Sequence, residues 1–429
     1  MTGTVHVVGA GLAGLSAALR LAAAGRRVVV HEAALQAGGR CRSFHDSRLG
    51  CRIDNGNHLV LSGNRSTLAY RALAGAAPDT LVSLPEAAFP FVDLRCGTRW
   101  TVRINDGPVP FWALVPSRRP AGVGLGAMLA AARILRAKPG QTVADAVGAR
   151  GTARERFWAP MSYAVMNLPP ELASARLLRA TFLEAWRDGR RCRPMLAPQG
   201  LSAALVDPAL AALTRLGAEV RFNSSVRGLE RAEGRISALL VAGGGRLPLG
   251  PRDAVVLAVP PARLKELYPE AGVPQDSSSI LNAHFRVPDP AALRDRPPLL
   301  GVVGARTQWI FVKGEVVSLT ISAAQHVEGL DADEERLAPA LWAEAVAALG
   351  LPRSARYAAA RLVHERRATF RQTPAAVARR PKTLTALSNL LLAGDATDTG
   401  LPATIEGAIR SGEIAARHLL AGAGSGSAR

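Results

Sequence analysis

The chain has 429 residues, 48% hydrophobic and 20% charged, and a formal net charge of +19 at pH 7. This balance describes a globular protein large enough for about two domains and excludes a disordered, fibrous or small disulfide-stapled chain. The excess charge is almost all arginine, since only four lysines occur. Such a bias also follows from base composition; as a selected feature it favours phosphates or acidic lipid headgroups. No basic run is interleaved with aromatics, so nucleic acid is not expected as a partner. Cys41, Cys51, Cys96 and Cys192 show neither CxxC spacing nor histidines at zinc-finger distances. They read as free thiols in a reducing compartment, with no metal site. The N-terminus passes straight into a strand pattern, without the look of a leader. The longest apolar stretch outside the core elements, 121–135, is too short and glycine-rich to span a bilayer. A cytoplasmic protein is expected.

Residues 4–8 (TVHVV) predict a buried parallel strand, followed by Gly9-Ala10-Gly11-Leu12-Ala13-Gly14 and an apolar helical segment that stops at Gly25. Residues 27–31 (RVVVH) predict the second strand, closed by Glu32 eighteen positions after Gly14. Gly9 permits the tight strand-to-helix turn, Gly11 lets the backbone approach a pyrophosphate, and Gly14 allows close helix–strand packing. The helix N-terminus, with Leu12 and Ala13, offers N–H groups and positive dipole. Glu32 suits a ribose diol and repels a 2′-phosphate. The complete unit is the fingerprint of a dinucleotide's ADP half, and it fits NAD as well as FAD.

Gly38-Gly39-Arg40, followed by Arg42, is a second glycine pair that an NAD dehydrogenase does not need. It resembles the GG-R signature of the flavin amine oxidase, phytoene desaturase and protoporphyrinogen oxidase superfamily, in which this loop extends the phosphate site and the arginine contacts FAD. The resemblance implies that the next turn, Asp54-Asn55-Gly56-Asn57-His58, passes beside the isoalloxazine, with Gly56 and Asn57 as cofactor contacts. His58 is either a proton donor or a hydrogen-bonded loop residue.

Further along, 108–136 places Trp, Phe and Leu between Arg118, Arg119, Arg133 and Arg136, the pattern of an interfacial docking element and equally of a buried helix. Residues 157–170 read as a helix broken by prolines. Their aromatic and methionine side chains suit core packing or a tunnel for a flexible hydrocarbon. The stretch 219–226, the apolar run 254–259 and Pro260-Pro261 resemble the superfamily's second FAD segment, with Val226 against adenine. Residues 389–393 predict a strand leading into Gly394-Asp395, then Ala403-Thr404-Ile405 and a helix from about 406 to 420. By resemblance Asp395 holds a ribityl hydroxyl and the helix N-terminus faces the flavin pyrimidine, a role helix-dipole physics suits. No cysteine follows residue 192, so a C-terminal thioether link is unavailable and noncovalent FAD is expected.

The whole arrangement is α/β: a Rossmann-like FAD-binding domain from 1–60, 195–279 and 371–421, interleaved with an α+β substrate domain from 61–194 and 280–370, and a flexible tail at 422–429. Residues 54–64, 157–174, 197–205, 365–374 and 390–412 resemble the squalene-associated FAD-dependent desaturase group, the hydroxysqualene dehydroxylases of bacterial hopanoid biosynthesis. That resemblance implies reduction of a membrane isoprenoid, hydroxysqualene, to squalene. It also implies a peripheral place on the inner face of the cell membrane through 108–136, and association with other hopanoid-pathway enzymes. Asp54, His58, Glu365 and Arg366 are its candidate catalytic residues. A carotenoid-type desaturase and a non-catalytic flavin scaffold are the alternatives. An amine oxidase fits less well, because residues 371–429 contain no aromatic residue for a cage around an amine.

Overall fold

The computed structural model describes residues 3–424, apart from 149, 187 and 331–332. The two β-branched runs form β1 (Thr4–Val8) and β2 (Arg27–His31), paired in parallel across the helix α1 (Leu12–Ala23). β3 (Glu219–Arg221) joins β2, β4 (Ala254–Leu257) joins β1, and β5 (Leu390–Leu392) joins β4, all in parallel. The order β3-β2-β1-β4-β5 therefore assembles strands from three distant stretches of chain. Every residue of β4 and β5 is buried, as a sheet covered on both faces requires.

The C-terminal helix α2 (Ile405–Gly424) lies against α1. Small residues set that approach: a Cβ on Gly412 would sit 2.1 Å from the Ala13 carbonyl oxygen, and the Ser16 hydroxyl donates to the Ile409 carbonyl at 2.8 Å.

A seven-stranded sheet forms the second layer. Its order is Ala359–Phe370, Ser277–Arg286, Val316–Ser322, Trp309–Lys313, Leu299–Val303, Ala88–Asp93 and Arg99–Arg103. All pairs are antiparallel except Leu299–Val303 with Ala88–Asp93. Its faces separate by the period of two. Leu300, Ile310 and Leu319 pack against the helix Glu334–Leu349, whereas Leu299, Trp309 and Phe311 belong to the cluster built with the helices between 123 and 186. Strand Ser277–Arg286 crosses the 279/280 boundary expected from the sequence.

The segment 157–170 differs from its expected form. The helix runs on through Pro160, because a π-helical turn at Arg154–Trp158 precedes the proline and relieves the backbone there. It stops at Asn167, left-handed at φ 55°, just before Pro169-Pro170. Phe157, Trp158, Met161 and Met166 pack into core and do not line a tunnel. The four cysteines are free thiols. Of the tail, 425–429 lies outside the described residues.

Candidate active site

A cavity of about 880 Å³ runs from the C-terminal ends of the parallel strands to the inner face of the seven-stranded sheet. In open α/β sheets ligands sit beyond the carboxyl ends of the strands, where neighbouring connections diverge. Gly9, Gly11, Leu12, Ala13, Glu32, Gly38, Gly39, Arg40, Gly56, Asn57, Val226, Gly394, Asp395, Ala403, Thr404 and Ile405 all line it. Gly14 does not: a Cβ there would lie 1.9 Å from the Gly9 carbonyl oxygen, so its glycine serves the packing of α1 on the β1 turn.

The chain shapes one end as a phosphate cradle. Gly9 turns at φ 104°, with a Cβ position only 2.5 Å from the Ala258 carbonyl oxygen. A Cβ on Gly11 would meet nothing within 4 Å. That space lies at the N-terminus of α1, where N–H groups and dipole favour an anion. The Glu32 carboxylate accepts from the backbone N–H of Ala10 (2.7 Å) and of Ala34 (2.9 Å), which fixes it at the end of β2 with lone pairs left for hydroxyls. These residues fit a dinucleotide.

In the middle, Arg40 and Asp395 form a two-pronged ion pair, Nη1 to Oδ2 and Nη2 to Oδ1, both 2.9 Å; Arg40 also donates to the Ala368 carbonyl. Burial pushes the Asp395 carboxyl up, but the Arg40 charge and hydrogen bond outweigh this with help from Arg380, and it stays below the ordinary carboxylate range. Arg380 itself carried no sequence signal. It is buried, and its guanidinium donates to the carbonyls of Asp395, Ala396, Thr397 and Leu401. One cation thereby gathers the loop that leads into α2. Its own run, Ala-Arg-Arg-Pro, reads as solvent-exposed, so only its burial reveals the role. The N–H of Ala403 is taken by Gln372 Oε1 at 2.8 Å.

The four candidate catalytic residues divide. Asp54 is buried away from the cavity, where its oxygens accept from Ser43 Oγ (2.6 Å), the Leu201 N–H (2.8 Å) and Lys313 Nζ (2.7 Å). Burial raises its carboxyl, but Lys313, Ser43 and Leu201 together hold it below its ordinary value, so it ties the hairpin end to the sheet as a carboxylate. Arg366 is exposed and off the cavity, at an irregularity in the strand between Glu365 and Thr369, whereas Glu365 and Arg367 line it. Glu365 lines the cavity and makes no ion pair among the described residues. It accepts from Asn55 Nδ2 and from the Arg367 N–H, each at 3.4 Å. His58 also lines the cavity. Burial lowers its imidazole below the ordinary value, against the opposing pull of the Gly56 carbonyl and Asp54, so it is neutral at pH 7. Its Nδ1 lies 2.9 Å from the Gly56 carbonyl oxygen, which can only accept. In that tautomer Nε2 presents a lone pair, and His58 is an acceptor in the resting state.

The far wall comes from residues the sequence did not single out, Ile280, Asn282, Trp309, Phe311 and Thr320 of the seven-stranded sheet; Tyr163 and Val165, from the segment 157–170, also line the cavity.

A five-stranded parallel sheet with a glycine cradle, an acid ending β2 and a second domain closing the cavity defines an oxidoreductase that carries a dinucleotide-type cofactor. A putrescine oxidase triple mutant, redesigned in its cofactor binding, has this fold, with a TM-score of 0.73 at 16% identity over 98% of this chain and 99% of that one. The chain belongs to the flavin containing amine oxidoreductase family, whose pattern matches residues 12–420, and within it to the hydroxysqualene dehydroxylases. It is 43% identical to hydroxysqualene dehydroxylase of Rhodopseudomonas palustris, covering 98% of this chain and 99% of that one. For the enzyme of that name from Sinorhizobium fredii the identity is 42%, over 97% and 98%. The cofactor is a flavin.

Proposed function

We propose that this protein holds FAD noncovalently and removes the hydroxyl of hydroxysqualene reductively to give squalene, a step of hopanoid biosynthesis. The observation that carries the reading is the continuity of one cavity from the phosphate cradle to an apolar wall of Ile280, Trp309 and Phe311. A flexible isoprenoid is bound by such a wall through burial and exclusion of water. Gly9, Gly11 and Glu32 hold the ADP half, and Arg40 with Asp395 orders the loop beside the ribityl chain. Overall, a C–O bond breaks, the hydroxyl takes a proton and leaves as water, and a hydride takes its place on carbon. Bound reduced flavin supplies that hydride. Glu365, on the wall without an ion pair, is the proton source, and the apolar wall keeps water from the reacting carbon.

The test is a single turnover without oxygen. Chemically reduced holoenzyme given hydroxysqualene should form squalene, detected by mass spectrometry, in step with the return of oxidised flavin absorbance. Reduced flavin that persists beside unchanged substrate would sink the proposal. The noncovalent link is checked separately: acid precipitation should leave FAD in the supernatant. Cys41, the cysteine on the cavity wall, has its thiol pushed up to about 12 by burial and stays protonated, a poor nucleophile for any link.

The substrate dissolves in bilayers, and the same protein surface offers a way in. Among the described residues no helix is long and apolar enough to cross a membrane. Yet Val109, Phe111, Leu114, Val115, Leu125, Leu129 and Leu135 are exposed, Phe111 and Leu129 each to 59%. Arg118, Arg119, Arg133 and Arg136 lie within that stretch. An apolar cluster with a cationic margin suits the headgroup region of an anionic leaflet on the cytoplasmic side. The protein should co-sediment with phosphatidylglycerol vesicles and not with pure phosphatidylcholine. Phe111→Ser with Leu129→Ser should cut the bound fraction several-fold, and equal binding by wild type and double variant would exclude this face.

A further inference from the structure

We infer that Asn57 and Asn282 form the seat for the substrate's hydroxyl, an alcohol group on an isoprenoid chain; the inference rests on the function proposed above. Three hydrogen bonds fix the two amides. The Asn57 backbone N–H donates to Asn282 Oδ1 (3.4 Å), Thr320 Oγ1 donates to the same oxygen (3.0 Å), and Asn57 Nδ2 donates to Thr320 Oγ1 (3.1 Å). A backbone N–H can only donate, so Asn282 turns its oxygen toward it. The Thr320 hydroxyl, already used as a donor, must then receive the N–H of Asn57. Neither amide can flip without breaking this relay.

What remains is a matched pair. Asn57 Oδ1 and the Asn282 NH2 group have no partner among the described residues, and both side chains line the cavity. Asn282 is only 2% exposed, so its donor faces a nearly dry space. His58 Nε2 adds a second acceptor from the same turn. A hydroxyl answers this set, since it donates one hydrogen bond and accepts others. An alkylammonium offers only N–H groups and would leave the Asn282 donor opposed. A hydrocarbon would leave donor and acceptor unpaired in a low-dielectric wall, which is the costly case and the basis of strong discrimination. The relay thus selects an alcohol over both an amine and an alkene, on a wall otherwise formed by Ile280, Trp309 and Phe311.

Binding to oxidised holoenzyme tests this without turnover, using the shift in flavin absorbance and two probes, hydroxysqualene and squalene. Wild type should bind the alcohol more tightly than the hydrocarbon by about tenfold or more, the effect of one well-made hydrogen bond in a buried site. Asn282→Leu and, separately, Asn57→Leu should bring the ratio close to one in protein that still carries FAD. A preference that survives both substitutions overturns the seat. Variants that purify without flavin also overturn it, by assigning the amides to the cofactor. Running the anaerobic turnover beside it separates the two readings: wild type that makes squalene while both variants keep their alcohol preference refutes the seat alone.

Discussion

Gly11→Ala is expected to fold normally and to bind FAD at least about tenfold more weakly, roughly 1.4 kcal/mol. Gly11 has φ −72°, a conformation open to any residue, and its added Cβ would touch no atom of the protein. The folded state therefore tolerates the methyl, while the space it fills is where a phosphate must approach the backbone. Gly14→Ala is the contrasting case. Its Cβ would fall 1.9 Å from the Gly9 oxygen, so α1 must move off the β1 turn. Overpacking of that kind costs about 1–3 kcal/mol, more than the roughly 0.4–1 kcal/mol that alanine gains by restricting the unfolded chain. FAD titration and thermal melting of the two variants distinguish them. A Gly11→Ala protein that binds FAD like wild type would remove the cradle role.

Arg40→Ala should lower stability by about 3 kcal/mol, the lower part of the range for breaking a buried pair, because Arg40 is partly open to the cavity. It should also yield protein largely free of flavin. The cost arises chiefly at Asp395, left as a buried carboxylate without its partner, and at the Ala368 carbonyl. Arg40→Lys keeps charge but not the two-pronged geometry, so it should fall between. The pH dependence has a definite sign. The Asp395 carboxyl is held below its unfolded value, so the pair's contribution is fully present at neutral pH and is lost only as pH falls below the ordinary carboxylate range. Denaturant melts should show the gap between wild type and Arg40→Ala widest toward pH 8 and narrowing as pH falls, because burial without Arg40 lifts the Asp395 carboxyl and its protonation then relieves the variant. A gap that widens in acid would contradict the assignment.

The parts of this protein legible in its sequence are those in which backbone geometry dictates residue type. The glycines of the β1 turn and the acid ending β2 recur at spacings set by a strand and a helix, so they reveal themselves locally. Gly394-Asp395 was readable because a short apolar strand delivers it. Asp54 and Arg366 show the limit. Proximity in sequence to the turn at 56–58 and to Glu365 said nothing of direction, and a single step along the chain turns a side chain away from the cavity. Likewise the aromatic and methionine side chains of 157–170 have the composition of a lipid tunnel, but only Tyr163 reaches the cavity; Phe157, Trp158, Met161 and Met166 pack into core, and Trp309 and Phe311 take the facing wall.

The β1 turn, α1 and β2 with its closing Glu32 were legible in the sequence because they rest on contacts between near neighbours, and the two distant segments that join them were legible by their resemblance to known FAD segments. The remaining contacts come from the packing of the whole chain. That packing joined Arg40 to Asp395 across 355 positions, buried Arg380 as the cation beneath the flavin loop, and set Asn282 and Thr320 against Asn57. These pairings depend on how two sheets face each other across a cavity, and no local periodicity encodes that relation.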